Sequence, residues 1–265
     1  MPAETSVREQ ILSYRSVLLV VAHPDDETIG VGGLLAHIPS PMILVVTDGA
    51  PRNLADANAA GFECREDYAA ARRLELFRAL GLCGIHPDQI IFFNFVDQEP
   101  SFDLADLTRR VAGVLRELQP GAILTHPYEG GHPDHDAVAF AVHTACRALA
   151  GSPRLFEFTS YHARDGRMEV GRFLPDQDPG EAFPLSDSDR ERKQRMVECF
   201  ATQAHMLRNF PVDAERFRAA CAYDFTQPPH SGTLFYENFS WGIKGAQWRA
   251  LAGEALQTPD AIATQ

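Results

Sequence analysis

Apolar positions along this chain fall into short unbroken runs rather than alternating ones. Residues 16–22, 42–47, 90–95, 122–125 and 155–159 are each strand-sized and mostly apolar. Strands of that kind are buried on both faces, as in a parallel sheet. Helix-like stretches separate them. Residues 30–38 open with Gly30, Gly32 and Gly33 and close at Pro39-Ser40-Pro41. Residues 65–80 read as an amphipathic helix ended by Gly81. Residues 103–118 stop at Pro120-Gly121, and residues 136–150 form a further helix. Residues 48–61 scatter Gly, Pro, Asn and Asp and read as a loop. This alternation predicts βαβ units in a Rossmann-like, doubly wound α/β fold, with a mostly parallel sheet and helices on both faces.

The regularity fades after Ser160. Residues 166–189 are rich in Asp, Pro and Gly and read as surface excursions. Residues 189–207 predict one long helix, capped by Ser186 or Asp187. Pro228-Pro229 breaks the chain, residues 234–239 predict a late strand, and the tail from about Leu256 is expected to be loose. The expectation is one α/β domain over 1–265. Its core covers about 15–160, and residues 161–265 add C-terminal excursions, helices and the late strand.

A net charge of −12 over 265 residues argues against nucleic acid as a partner, because neutralising phosphates takes clustered Lys and Arg. It also disfavours an anionic membrane surface. The polar start, residues 1–10, is followed by no run long enough for a signal peptide or a membrane span. The five cysteines, Cys64, Cys83, Cys146, Cys199 and Cys221, are odd in number and widely spread, without a Cys-x-x-Cys pair. That fits free thiols in a reducing compartment, so a cytoplasmic protein is expected.

Two segments concentrate histidine and aspartate: Ala22-His23-Pro24-Asp25-Asp26-Glu27 and His132-Pro133-Asp134-His135. Each follows a strand-like run and precedes a helix-like one, where α/β proteins gather their chemistry. Two imidazoles and a carboxylate meeting there would make a three-ligand metal site with one position open, the arrangement of a catalytic site. Pro24 fixes its own φ and forces a turn straight after His23. Asp25 and Asp26 are adjacent and point in different directions, so one can bind metal while the other faces substrate.

The first segment, followed by Gly32-Gly33, resembles the signature of the PIG-L/LmbE-like zinc N-deacetylases, and His132-Pro133-Asp134-His135 resembles that family's second signature. The resemblance covers roughly residues 16–150. It implies His23, Asp26 and His135 as Zn2+ ligands, with Asp25 as general base. It also implies His132 as oxyanion stabiliser and Asp134 as the group that orients His132. The chemistry agrees. A divalent ion on two neutral imidazoles and one carboxylate stays net positive and lowers the pKa of its water toward roughly 7. A carboxylate on His132 would favour its charged form. Either Asp25 or His132 could protonate the departing amine. Another divalent metal such as Fe2+ suits the same donors. A weaker echo follows in Lys193 and Thr202-Gln203. There Phe200 stands where the family often has histidine and Thr202 where it has serine, so this helix departs from the family pattern.

The implied substrate is a small N-acetylated amino sugar or glycoconjugate of the N-acetylglucosamine type, and self-association is possible. Arg52, Asn53 and Asp97 lie just past strand ends and, with Tyr128, are candidate substrate-binding residues. His126 could line the cleft without being a ligand, and Glu27 suits a supporting role. Three rival readings stay open. One is a nucleotide-binding oxidoreductase, weakened because Leu35 replaces the third glycine of Gly-x-Gly-x-x-Gly. The others are a catalytically silent sugar-binding protein and a zinc amidase acting on a different acyl amide.

Overall fold

The computed structural model describes residues 5–149 and 151–258. In chain order the elements begin with α1 (Val7–Ser13), β1 (Val17–Val21), α2 (Asp26–Leu35), β2 (Met42–Thr47), α3 (Ala55–Ala59) and α4 (Arg65–Gly81). They continue with β3 (Ile90–Phe95), α5 (Leu104–Leu118), β4 (Ala122–Thr125), α6 (Pro133–Ala148) and β5 (Arg154–Phe158). The remainder are β6 (Tyr161–Arg164), β7 (Arg167–Val170), β8 (Glu181–Pro184), α7 (Asp187–Glu198), α8 (Ala204–Leu207), β9 (Ala214–Ala219) and α9 (Gly245–Gln257).

Seven strands form one sheet in the order β3-β2-β1-β4-β5-β9-β8. The first five run parallel, and β9 and β8 continue the sheet antiparallel. This is the expected Rossmann-like α/β architecture. Every residue of β1 is buried, as its unbroken apolar run requires. One apolar layer, around Val31, Leu34, Leu76 and Met196, covers one face of the sheet. Another, around Leu107, Val111, Phe140 and Trp248, covers the other. The chain leaves β1 toward β2 and β3 and later returns beside β1 as β4. The crevice between the C-terminal ends of β1 and β4 is therefore the topological switch point where such folds bind ligands.

The glycines of α2 are packing glycines. A Cβ on Gly30 would stand 2.6 and 2.9 Å from Phe158 ring atoms, and one on Gly33 2.5 Å from Leu185. Only a bare backbone lets α2 sit this close to β5 and the residues before α7, which removes the basis for a dinucleotide loop.

Departures from the expected elements cluster after Ser160. Residues 234–239 carry a 3-10 turn, Phe235–Asn238, and not a strand. The late strand is instead β9, whose Glu215 and Arg218 are buried. Those charges hid it from an apolar pattern; they are tolerated because Lys193 pairs with Glu215 at 2.8 Å and Glu157 with Arg218 at 2.7 Å. The long helix expected over 189–207 breaks after Glu198. There Glu75 of α4 captures the Thr202 amide (3.0 Å) and hydroxyl (2.5 Å), and the chain turns through Ala201–Gln203 into α8. Helix α9 includes Leu256 and Gln257 and is capped by Thr258, and residues 259–265 of the tail expected to be loose lie outside the described residues. Among the described residues no helix is long and apolar enough to cross a membrane.

Candidate active site

His23 stands two residues past β1, Asp97 two past β3 and His126 one past β4, so strand ends deliver all three to the same crevice. The second signature opens α6. Its His135 faces the first signature across the crevice, with Nε2 3.2 Å from Asp26 Oδ1. His23 Nδ1 lies 3.3 Å from Asp26 Oδ2. One donor atom from each of His23, Asp26 and His135 can be chosen so that all lie within 4.8 Å of one another, in a fully buried group.

The surroundings suit a cation held by these three. Burial opposes charge on Asp26, yet the imidazoles of His135 and His126 hold its carboxyl well below the usual range. Asp26 Oδ2 is fixed by the His23 amide at 2.7 Å. His135 Nδ1 meets Ser160 Oγ at 3.3 Å, and His23 Nε2 faces Asp134 Oδ2 and Asp97 Oδ1, each at 3.3 Å. Polar partners on the far nitrogens are what orient metal-binding imidazoles. A second, overlapping group joins His23 to Asp97, His132 and Asp134. In it Asp134 Oδ2 already accepts the Gln98 amide at 2.7 Å, and both carboxylates face the outer nitrogen of His23.

Asp25 precedes α2 with φ 145° and ψ −25°, a backbone state that costs energy and that L side chains rarely adopt. The surroundings enforce it. Glu27 Oε2 accepts the Asp25 amide at 3.0 Å, and the Asp25 carbonyl accepts the amides of Thr28 and Ile29. Arg72 of α4 donates to the Pro24 carbonyl (2.9 Å), to Asp25 Oδ2 (2.8 Å) and to the Gly49 carbonyl (2.6 Å). Burial pushes the Asp25 carboxyl up to about 6, with Asp26 adding to the rise and Arg72 restraining it. Glu27 is fully buried beneath this turn, the supporting position expected of it.

Two features of His132 differ from the expectation. The Asp134 carboxylate stands 3.9 Å from His132 Nδ1 and is turned toward His23. His132 Nδ1 instead accepts the backbone amide of Asp134 at 3.1 Å. An amide donor there leaves Nδ1 unprotonated and places the proton of the neutral ring on Nε2. Burial and the neighbouring His23 hold the ring well below the usual histidine range, rather than raising it. Its geometry is that of a neutral donor.

The cavity over these groups is lined by His23, Asp25, Asp26, Asp97, His132 and His135, together with residues that the sequence did not single out. Those include Arg72, Gln98, Tyr161, His205 and Trp241, while Gln203 belongs to the weaker echo noted in the sequence. Arg72 carried a signal: it lies on the buried stripe Tyr68, Arg72, Leu76, where helical spacing calls for an apolar side chain. Gln203 brings the segment after α7 to the cavity even though Phe200 lies in the core. Of the candidate substrate residues, Asp97 lines the cavity and three do not. Arg52 is exposed and paired with Glu99 at 3.0 Å. Asn53 is exposed and its Oδ1 accepts the Ala55 amide at 2.9 Å. Tyr128 is buried in the layer beneath α6, stacked on Trp248 at 5.3 Å, and its hydroxyl donates to the Gln227 carbonyl at 2.9 Å. His126 lies behind Asp26, stacked 4.0 Å from His135, and does not line the cavity.

Residues 18–146, which hold both signatures, match the family described as PIG-L: GlcNAc-PI de-N-acetylase. This stretch is similar to the PIG-L family. A probable N-acetyl-α-D-glucosaminyl L-malate deacetylase 2 of Bacillus anthracis is 29% identical over 164 residues, covering 59% of this chain and 70% of that protein. A diacetylchitobiose deacetylase of Thermococcus kodakarensis is 31% identical over 146 residues, 51% of this chain and 50% of that one. The chain thus spans between half and 70% of the length of these relatives. The crystal structure of the A40926 pseudoaglycone deacetylase Dbv21 shares the fold, with a TM-score of 0.59 and 21% identity, covering 78% of this chain and 98% of that one. Several cavity residues lie beyond the PIG-L stretch, among them Tyr161, Gln203 and Trp241.

Proposed function

We propose that this chain is a metal-dependent hydrolase that removes acetyl from an N-acetylglucosamine-type sugar conjugate. The observation that carries the reading is the meeting of His23, Asp26 and His135, from two loops more than 100 residues apart, beside a buried and clamped Asp25. These three would hold the ion, Zn2+ in the first instance, with Fe2+ compatible with the same donors. When bound, the ion supplies Lewis acidity toward water and the amide carbonyl.

The remaining chemistry belongs to the protein. Asp25 accepts a proton from the attacking water; its raised pKa makes it a stronger base while leaving it ionised near neutrality. Arg72 keeps that carboxylate on one rotamer and on the cavity side of the turn. Neutral His132 offers Nε2–H to the oxygen that gains charge as the carbonyl carbon becomes tetrahedral. Asp134 and Asp97 orient His23, and Ser160 orients His135. The proton taken by Asp25 is the one available to the departing amine.

The test is acetate release from N-acetylglucosamine conjugates by metal-loaded protein, with metal content measured in parallel. Asp25→Asn is expected to keep its metal and lose at least 100-fold in kcat. His135→Ala is expected to lose the metal. Replacing His132 should lower kcat more than metal content. Full activity in Asp25→Asn, or undiminished metal in His135→Ala, refutes the assignment.

A further inference from the structure

Trp241 and Phe239 form an aromatic wall beside the catalytic groups. The Trp241 ring lies 4.6 Å from the His132 ring and lines the cavity. Phe239 stacks on Trp241 at 4.5 Å and 11° and is 39% exposed. Burying this pair wholly would have gained hydrophobic free energy, yet Trp241 stays half-buried on the cavity wall and Phe239 behind it stays partly exposed.

The segment that carries the pair is braced. The Phe235 amide donates to the Gly130 carbonyl at 2.9 Å, tying the segment to the loop before His132. Glu237 accepts the amides of Leu234 (3.0 Å) and Gly245 (2.9 Å) across the turn. Lys244 donates to the carbonyls of Glu237 and Phe239. The wall is set in place before a ligand arrives, which lowers the entropic cost of binding.

The charges of the cavity narrow the ligand. Asp25, Asp26, Asp56 and Asp97 line it, together with the imidazoles of His23, His132, His135 and, at the rim, His205, and the single guanidinium of Arg72. Arg72 is 4% exposed and its terminal nitrogens are spent on Asp25, Pro24 and Gly49. A carboxylate on the leaving portion of the substrate would meet no free guanidinium or ammonium here. Cationic side chains do stand in a neighbouring hollow, which carries Arg172 and Arg216 beyond the shared residues Ile29 and Phe210. That hollow lacks tryptophan.

Resting on the deacetylase reading, we propose that Trp241 and Phe239 bind the portion of the conjugate beyond the glucosamine, and that this portion is a neutral polyhydroxylated ring. The C–H face of a pyranose or cyclitol packs on Trp241, which Phe239 backs from behind, while its hydroxyls stay in water. This subsite separates the chain from its malate-conjugate relatives, whose aglycone is a dicarboxylate.

The experiment compares kcat/KM of the metal-loaded enzyme on N,N′-diacetylchitobiose, the N-acetylglucosaminyl inositol conjugate, the N-acetylglucosaminyl malate conjugate and free N-acetylglucosamine. Ring conjugates are expected to exceed the malate conjugate at least tenfold, and the pyranose and cyclitol arms identify which ring is preferred. Trp241→Ala should cut the preference for ring conjugates over free N-acetylglucosamine at least tenfold, chiefly through KM, and Trp241→Phe should restore most of it. A second readout needs no turnover. The chain has two tryptophans and Trp248 is fully buried, so ligand-dependent emission reports Trp241. In the Asp25→Asn protein, diacetylchitobiose should shift that emission saturably, and the shift should vanish in Asp25→Asn/Trp241→Phe. Better turnover of the malate conjugate, an equal loss on all substrates in Trp241→Ala, or no saturable shift overturns the subsite. A saturable shift with no acetate released from any conjugate supports the subsite and refutes the deacetylase reading.

Discussion

Gly30→Ala isolates what the glycine-rich start of α2 contributes. The added Cβ would lie 2.6 Å from Phe158 Cε2 and 2.9 Å from Cγ, with Cδ2 closer still. Carbon atoms at their best separation are about 3.5–4.0 Å apart, so the ring must retreat by about 1 Å or more. It has little room. Phe158 is fully buried, and its ring packs against His126 at 4.9 Å between centroids. Overpacking of this kind costs about 3 kcal/mol. Alanine is the better helix former by about 1 kcal/mol, which offsets part of it. The net expectation is a loss of about 2 kcal/mol, or roughly 4–8 °C in Tm for a chain of this size. Urea unfolding of both proteins gives the number, with an unchanged m value marking a pure stability effect. Phe158→Leu in the Gly30→Ala background should recover at least about 1 kcal/mol relative to the sum of the single changes. Wild-type or higher stability in Gly30→Ala would refute the close approach, because it would mean that helix propensity alone was at work.

Two further predictions concern the base and the rejected substrate residue. The pH profile of kcat/KM should have an acid limb at or below about 6, since Asp25 acts only when ionised, burial raises its carboxyl to about 6, and a bound cation draws it down from there. Arg72 stabilises the ionised form, so Arg72→Met should move the limb to higher pH; an unmoved limb would show that another group sets it. Tyr128→Phe removes a buried hydroxyl that donates to Gln227 and touches no cavity. It should cost about 1 kcal/mol in urea unfolding and leave KM unchanged, and a raised KM would restore Tyr128 as a substrate contact.

The strands and the two signatures were legible because each is local. A run such as residues 17–21 needs no partner to read as a buried parallel strand, and His23 and His135 announce themselves at strand and helix boundaries. What stayed hidden depends on pairs distant in sequence. Strand β9 reads as polar until Glu157 and Lys193 are brought to Arg218 and Glu215. The break after α7 carries no Gly or Pro, because it is made by Glu75 reaching across from α4. Within the site, the residue types were legible and the pairings were not. Asp134 sits next but one to His132, yet its carboxylate turns to His23, and the backbone amide serves His132 instead. Arg52 and Asn53 sit close to a strand end, but a neighbouring carboxylate and a helix start claim them.

Gly131 leaves no space for a side chain, because a Cβ there would collide with the carbonyl oxygen of Tyr161, and the Leu234 side chain lies close to Gly130. The loop that delivers His132 and His135 is thus held by two pieces of chain that come later in the polypeptide. The family match ends at 146, but the working unit does not: its outer walls come from residues beyond it, among them Tyr161, Gln203 and Trp241. A segment cut at the edge of the family match would carry every proposed ligand and still lack Ser160 behind His135. Exchange of this region between relatives should therefore transplant the tail along with the motifs.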